Sequence, residues 1–184
     1  MSEPQLATAI YFAGTVAFTL IAVWTLRRTP ENLPAAEKLP RHRLAGAILG
    51  MAALIWCIPH AAVVAPGFLL PWLWPLAIVV PVVSYFVLDN LTARACGGLA
   101  ILYGYQVVHT AFEMHTPGAP VLAVFSWLLG MAGIWISARP CVVRDGIRAV
   151  SARPRLRVVA ASISGVAAVL LALAAVATLT AGGR

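Results

Sequence analysis

Residues 158–181 read VVAASISGVAAVLLALAAVATLTA, a run of 24 residues without a charged or aromatic side chain. As an α-helix, this run is about 36 Å long and covers the hydrocarbon core of a bilayer, which needs about 20 residues. Five other long apolar runs precede it in the chain. They cover residues 6–26, 44–65, 68–88, 95–112 and 121–138. The six runs predict an all-α integral membrane protein with six transmembrane helices.

The composition excludes the main soluble classes. Apolar residues make up 61% of the 184-residue chain and charged residues 10%, whereas soluble domains have about 45–50% and about 25%. A soluble domain of this size cannot bury so much apolar surface, and a disordered tail is far more polar. The net charge of +7 would suit a nucleic-acid binder, but such proteins cluster their basic residues on a solvated face. Here the basic residues separate apolar runs, so we expect one transmembrane domain over residues 1–184 and no nucleic-acid partner.

The basic residues are distributed unequally between the two sides of the six runs. Twelve of the thirteen Lys and Arg residues fall on one side, and the other side holds only Arg184. The twelve are Arg27, Arg28, Lys38, Arg41, Arg43, Arg94, Arg139, Arg144, Arg148, Arg153, Arg155 and Arg157. Since cytoplasmic loops carry the excess of basic residues, the asymmetry predicts three hairpins with a basic cytoplasmic face and both termini on the outer side. The alanine-rich, lysine-poor composition is typical of a GC-rich bacterial genome, so the expected membrane is the inner (cytoplasmic) membrane.

Small residues mark the expected helix contacts, because lipid tails provide no hydrophobic drive between apolar helices. Pairs of small residues at four-residue spacing occur at Gly46/Gly50, Ser126/Gly130, Gly133/Ser137 and Ala161/Gly165. The run 95–112 carries Gly97, Gly98 and Gly104 and is also the most polar of the six. We therefore expect this helix near the centre of the bundle.

Four tryptophans stand near the ends of the predicted helices. Trp24 and Trp135 lie at inner ends, and Trp72 and Trp74 lie at the outer start of the third run. Amphipathic rings favour the headgroup level, so this placement agrees with the predicted orientation.

The linker between the last two runs predicts a short amphipathic helix over about residues 140–153. Its apolar positions fall on one face at helical spacing, namely Val143, Ile147 and Val150. Its polar positions fall on another, namely Arg144, Arg148 and Ser151. Such a helix lies in the membrane surface, where anionic lipid headgroups attract its arginines. The basic segment expected to face these headgroups comprises Arg139, Arg144, Arg148, Arg153, Arg155 and Arg157. A solvated basic loop is the alternative.

Few ionisable side chains lie inside the predicted spans, and several of them share one depth. Measured from the inner side, His60 lies about 24 Å along the second run and His109 about 22 Å along the fourth. Glu113 follows His109 by four residues and Gln106 precedes it by three, so these side chains share one helix face. The expected polar cluster near the outer face comprises His60, Gln106, His109, Glu113 and His115.

Three kinds of chemistry fit this cluster. Neutral imidazoles with a carboxylate are ligands for a divalent transition metal, and two imidazoles on facing helices are axial ligands for a b-type haem. A set of His, Glu and Gln near the outer surface also suits proton handling at a quinone or along a transport path. The simplest alternative is structural, with each His bonded to a carbonyl, a headgroup or water. The spacing does not decide between them, so a metal site stays unknown and no resident cofactor is expected.

Two prolines lie inside predicted helices, Pro59 in the second run and Pro81 in the third. Each removes a backbone donor and frees the carbonyl four residues earlier, which predicts a kink. Broken helices line cavities in transporters, although neighbouring helices can also satisfy such a carbonyl. In the tight turn before the fourth run, Asp89 is expected to cap that helix or to pair with Arg94.

Signatures of common enzymes are absent from the sequence. It holds no Gly-rich phosphate loop, no His-Glu-x-x-His, no Gly-x-Ser-x-Gly and no paired intramembrane carboxylates. Few polar groups inside the spans, short outer loops and many small-residue faces favour a structural or accessory subunit of a membrane complex, with no catalytic residue of its own. Its partners would be other membrane subunits or a second copy of the chain. The alternatives are a small transporter or proton-coupled carrier that uses the His/Glu cluster, and a haem-, quinone- or metal-binding redox subunit.

Overall fold

The computed structural model describes residues 3–182, with side chains over residues 5–180. Helix accounts for 88% of the chain, and the described residues form no strand, so the prediction of an all-α fold is confirmed. The α-helices of this range are α1 Glu3–Leu26, α2 Leu33–Ala36, α3 Arg43–Val64, α4 Leu73–Val87, α5 Leu91–Glu113, α6 Ala119–Ala138, α7 Cys141–Ala152 and α8 Pro154–Gly182. Short 3-10 turns occur at Pro30–Asn32, Leu39–Arg41 and Leu70–Trp72. Arg184, the one basic residue assigned to the outer side, lies outside the described residues.

Among the described residues, five helical segments are long and apolar enough to cross a membrane. These segments are Gln5–Leu26, Arg43–Val64, Leu70–Val87, Ala119–Ala138 and Pro154–Thr180. They coincide, to within a few residues at each end, with the predicted spans 6–26, 44–65, 68–88, 121–138 and 158–181. By length and composition, the chain therefore has the helices of a multi-pass membrane protein.

The predicted span 95–112 lies within a helix, α5, that is less apolar than these five segments. Five of its 23 residues are exposed, whereas ten of the 15 residues of α4 are exposed. The exposed residues of α5 are Cys96, Tyr105, His109, Phe112 and Glu113. A helix that meets protein over most of its surface can carry small and polar side chains that a lipid-facing helix cannot. The low hydropathy of α5 thus goes together with the small fraction of its residues that is exposed.

The chain divides into two compact units. The first comprises the residues up to 33, residues 103–128 and the residues from 147 onward, and the second comprises residues 34–102 and 129–146. The helices α5, α6 and α7 each contribute residues to both units.

In the first unit, α1 packs along α8 in the antiparallel sense. The hydroxyls of Thr8 and Thr178 lie 3.0 Å apart, and Gly14, further along α1, lies against Leu171, which is earlier in α8. The buried core of this unit is rich in alanine. Its members are Tyr11, Val107, Ala111, Ala119, Leu122, Leu171, Ala174 and Ala175. The helix α8 therefore buries a small-residue face and exposes larger aliphatic side chains such as Val166.

In the second unit, α3 packs against α4 and against the start of α5. Gly46 lies directly against the backbone at Leu91 and Thr92. The Thr92 hydroxyl donates a hydrogen bond of 2.6 Å to the His42 carbonyl. His42 also caps α3, because its Nδ1 accepts a hydrogen bond from the backbone N–H of Ala45. These hydrogen bonds at the N-terminal ends of α3 and α5 fix the register in which the two helices pack.

The carboxylate of Asp89 pairs with Arg43 at the start of α3, at 3.1 Å. The prediction that Asp89 pairs with Arg94 is wrong, since Arg94 donates instead to the carbonyl of Ser137 at 2.7 Å. Arg94 is nearer to Asp89 in the sequence. However, α3 packs beside the start of α5, and this packing brings Arg43 close to the Asp89 carboxylate.

The helices α5 and α6 meet backbone to backbone at two glycines of the second unit. A methyl group on Gly97 would lie 2.7 Å from the Gly133 carbonyl oxygen, and one on Gly133 would lie 2.6 Å from the Gly97 carbonyl oxygen. The Ser137 hydroxyl donates to the Arg94 carbonyl at 3.4 Å beside this contact. Within the described chain, the space around other glycines of the predicted small-residue set is open, namely around Gly98, Gly130 and Gly165. Therefore only some of the small residues predicted to mark helix contacts lie at contacts within the chain.

Replacing Gly97 with alanine is expected to destabilise the fold by about 1–3 kcal/mol, because the added methyl group overlaps the Gly133 carbonyl and Ser137. Thermal unfolding of the purified protein in mild detergent measures this loss. Gly98→Ala is the matched control, since nothing lies within 4 Å of its added methyl group and alanine favours a helix over glycine. Equal melting temperatures for the two variants would contradict the backbone contact.

The segment predicted as an amphipathic helix contains α7, Cys141–Ala152. Ile147 is 7% exposed and Ser151 is 1% exposed, because residues four apart share one helix face. The sequence placed Ser151 on the polar face with Arg148, whereas the structure buries it beside Ile147. The charged face of α7 carries Arg144, which pairs with its neighbour Asp145 at 3.3 Å.

Candidate functional site

Polar side chains near the end of α5 form a row along one face of that helix. Tyr105, His109 and Glu113 follow one another at four-residue spacing, which stacks them along the helix. His109 Nδ1 lies 2.9 Å from Glu113 Oε2, the distance of a hydrogen bond. The Tyr105 ring lies 5.6 Å from the imidazole, tilted by 31°. We call these three residues the polar row.

The polar row is accessible rather than enclosed. The side chains of His109 and Glu113 are 45% and 59% exposed. The pair thus offers an imidazole and a carboxylate in hydrogen-bond contact at an exposed position.

Gln106 and His115 lie close to the polar row along the chain. The Gln106 amide lies 3.5 Å from the hydroxyl of the buried Thr110, so it is directed toward the core of the first unit. His115 has a φ of 48°, in the left-handed region that few non-glycine residues adopt. Its Nδ1 lies 3.2 Å from the Glu113 carbonyl oxygen. The structure therefore brings His115 to the backbone of Glu113 and Gln106 to Thr110.

His60 belongs to the second unit. It follows Pro59 on α3 and is half-buried, while Pro59 itself is exposed. The members of the expected cluster that the first unit brings together are thus His109, Glu113 and His115.

A metal ion would need more ligands than these residues supply. Within residues 5–180, no group of three or more His, Cys, Asp or Glu side chains is placed to hold a metal ion. The His109–Glu113 pair provides two ligands, whereas protein sites for zinc use three or four.

The helices α3 and α4 continue through their prolines and enclose an apolar groove between them. Pro81 is buried in the contact, as is Ala77 one turn earlier. The groove has a volume of about 280 Å³ and is lined by aliphatic side chains and the Cys57 thiol. Such a lining suits a lipid chain or an apolar side chain better than an ion.

A buried set of hydroxyl groups in the first unit was missed from the sequence. Tyr11 is fully buried, and its hydroxyl lies 3.4 Å from that of Thr116. The Tyr103 hydroxyl donates to the Ile10 carbonyl at 3.1 Å. A signal for this set exists, because Thr8, Tyr11 and Thr15 recur on one face of the mainly apolar α1. The bonds connect α1 to α5 and to the turn before α6.

The arginines of the basic segment have different surroundings. Arg157 donates to the carbonyls of Ser151 and Val150 at 3.2 and 3.5 Å, which satisfies the end of α7. Arg144 forms the ion pair described above. The other four, Arg139, Arg148, Arg153 and Arg155, are exposed.

Comparison with protein-family models, with curated proteins and with solved structures finds no match for this chain.

Replacing Tyr103 with phenylalanine is expected to destabilise the fold by about 0.5–1 kcal/mol, the usual worth of one hydrogen bond between membrane helices. The bond lost is the one from its hydroxyl to the Ile10 carbonyl. Thermal unfolding in mild detergent measures the change. Tyr85→Phe, at a half-buried tyrosine that packs edge-to-face on Phe86, is the control with the same chemical change. A Tyr103 variant as stable as the wild type would show that this bond contributes nothing.

Proposed function

We propose that the chain crosses the inner membrane six times, in three hairpins, with α5 as the fourth span and both termini on the outer side. The 23 residues of α5 amount to about 35 Å of helix, enough to cross the hydrocarbon core. Contacts in the second unit support the helix directions. Gly46 lies against Leu91 and Gly50 against Ala95, so α3 and α5 run in the same direction, as the second and fourth spans must. The antiparallel packing of α1 on α8 agrees with opposite directions for the first and sixth.

We further propose that the protein is a structural or accessory subunit of a membrane complex, without catalysis of its own. The observation that carries this proposal is the exposure of Trp127. It is the ninth residue of the 20-residue helix α6, and it is 67% exposed. Tryptophan rings favour the headgroup level, which Trp74 and Trp135 occupy at helix ends in the proposed orientation. An exposed tryptophan in the middle of a span favours a protein neighbour, since aromatic residues are enriched in protein interfaces.

Gly130 gives independent support for a neighbouring helix. It lies one turn after Trp127, and the described chain leaves its surroundings open. A glycine lets a second helix approach closely in a bilayer, where packing replaces the hydrophobic drive. The partner is another membrane protein or a second copy of this chain.

The use of the buried hydroxyl groups also supports a role without catalysis. The Thr8–Thr178 bond joins α1 to α8, and the Tyr11–Thr116 bond joins α1 to the turn before α6. These groups therefore stabilise packing and do not line an open reaction site.

Photo-cross-linking tests the accessory role. A photo-reactive amino acid placed at position 127 of the full chain is expected to link, in native membranes, to one membrane protein of defined mass. Position 74 is the control, because Trp74 is similarly exposed at 58% but stands near the start of α4, where linkage to lipid is expected. Trp127→Ala should lower recovery of the same partner about tenfold, the effect of losing a central aromatic contact. Linkage to lipid at both positions, with a monomeric mass in lipid nanodiscs, would contradict the accessory role.

The polar row favours one second candidate, a proton-coupled carrier. On the proposed accessory role, His109→Ala and Glu113→Gln leave the internal pH of proteoliposomes and the recovery of the partner unchanged. Glu31→Gln, which removes an exposed carboxylate from the loop after α1, is the control. If only the two polar-row variants abolish a pH signal while their melting temperatures stay normal, the carrier replaces the accessory role.

A further inference from the structure

Two shallow grooves on different helices share one construction. The groove at the end of α1 has a volume of about 450 Å³ and is lined by Leu20, Ile21, Val23, Trp24, Arg27 and Arg28. The groove at the end of α6 has a volume of about 490 Å³ and is lined by Met131, Ile134, Trp135, Ala138 and Arg139. Each combines an exposed aliphatic strip, one tryptophan and a basic side chain. The first groove belongs to the first unit and the second groove to the second unit.

The order of residues is also the same in both grooves. An aliphatic or Met residue, a Trp and an Arg follow at four-residue spacing, as Leu20, Trp24 and Arg28 in α1 and as Met131, Trp135 and Arg139 in α6. Residues at this spacing line one face of a helix. Each groove therefore runs from an apolar end inside the helix to a cationic end at or just beyond its C-terminus.

Arg28 is held in place by its own tryptophan. Its guanidinium carbon lies 4.3 Å from the centre of the Trp24 ring, and its Nε donates to the Trp24 carbonyl at 3.1 Å. A guanidinium carries five N–H donors, and this bond uses one of them. A planar cation positioned in this way is suited to binding a phosphate through two parallel hydrogen bonds.

We infer that each groove binds one anionic phospholipid. The phosphate binds the arginine, the tryptophan lies beside the glycerol backbone, and an acyl chain lies along the aliphatic strip. Charge complementarity supports this occupant, because basic side chains near a bilayer surface attract anionic headgroups. Trp72 and Trp74 provide a contrast, since no basic residue lies within one turn of either. The inference requires only that the chain lies in a membrane, and it is independent of the accessory role.

Native mass spectrometry of the full chain tests the inference. The protein is purified in a zwitterionic detergent and titrated with dioleoyl phosphatidylglycerol or with dioleoyl phosphatidylcholine, which differ in charge but not in acyl chains. Two molecules of the anionic lipid are expected to bind before any phosphatidylcholine does. Equal binding of the two lipids would overturn the inference.

Variants assign each bound lipid to its groove. Arg28→Gln and Arg139→Gln are each expected to weaken one of the two binding events about fivefold, and the double variant should weaken both. Trp24→Ala should weaken the same event as Arg28→Gln. Circular dichroism confirms that each variant remains helical, and the Arg139 variant still tests the inference if the Arg28 variant unfolds.

Two controls separate a built site from diffuse attraction. Arg41→Gln removes one exposed positive charge from the same loop without touching either groove, and Trp74→Ala removes an exposed tryptophan without a basic neighbour. Both should leave the two binding events unchanged. A loss for Arg41→Gln equal to that for Arg28→Gln would overturn the inference, because net charge alone would then account for binding.

Discussion

The absence of water from the hydrocarbon core is the constraint from which the rest of this structure follows. Every backbone amide in that layer must find its partner within the protein, which helices provide internally, and the chain is accordingly 88% helical. Apolar side chains gain little by leaving lipid for one another, so the helices meet through close packing. The contact of Gly97 with Gly133 and the alanine face of α8 against α1 are both of this kind.

The same constraint explains why α5, the least apolar of the long helices, has few exposed residues. Polar groups of α5 bond to backbone carbonyls of other helices, as Thr92 does with His42 and Arg94 with Ser137. Leaving a polar group unpaired in a packed contact is costly. The polar residues that lower the hydropathy of α5 therefore also specify its neighbours. Only towards its end, at the polar row, does α5 expose polar side chains that bond within the helix itself.

The sequence was sufficient to locate the long helices, because runs of about twenty apolar residues have few other structures open to them. It was also sufficient for the His109–Glu113 pair, since residues four apart on one helix meet whatever surrounds them. Contacts between helices were harder. Asp89 pairs with Arg43 rather than Arg94, and Ser151 is buried although it follows Arg148 on the expected polar face. Both outcomes depend on which helices pack together, and the spacing of residues along the chain does not determine this.

The basic residues between the apolar runs have the same charge but make different contacts. The twelve basic residues that the sequence pattern assigns to one side predict an orientation, yet their surroundings differ. Arg43 pairs with Asp89, Arg94 binds a carbonyl of α6, and Arg157 satisfies the end of α7. Arg28 and Arg139 stand near helix C-termini, where a cation also offsets the helix dipole, and each has a tryptophan one turn earlier. Protein acceptors engage the first three, whereas Arg28 and Arg139 lie beside apolar grooves, where one lipid can meet the arginine with its headgroup and the groove with its acyl chain.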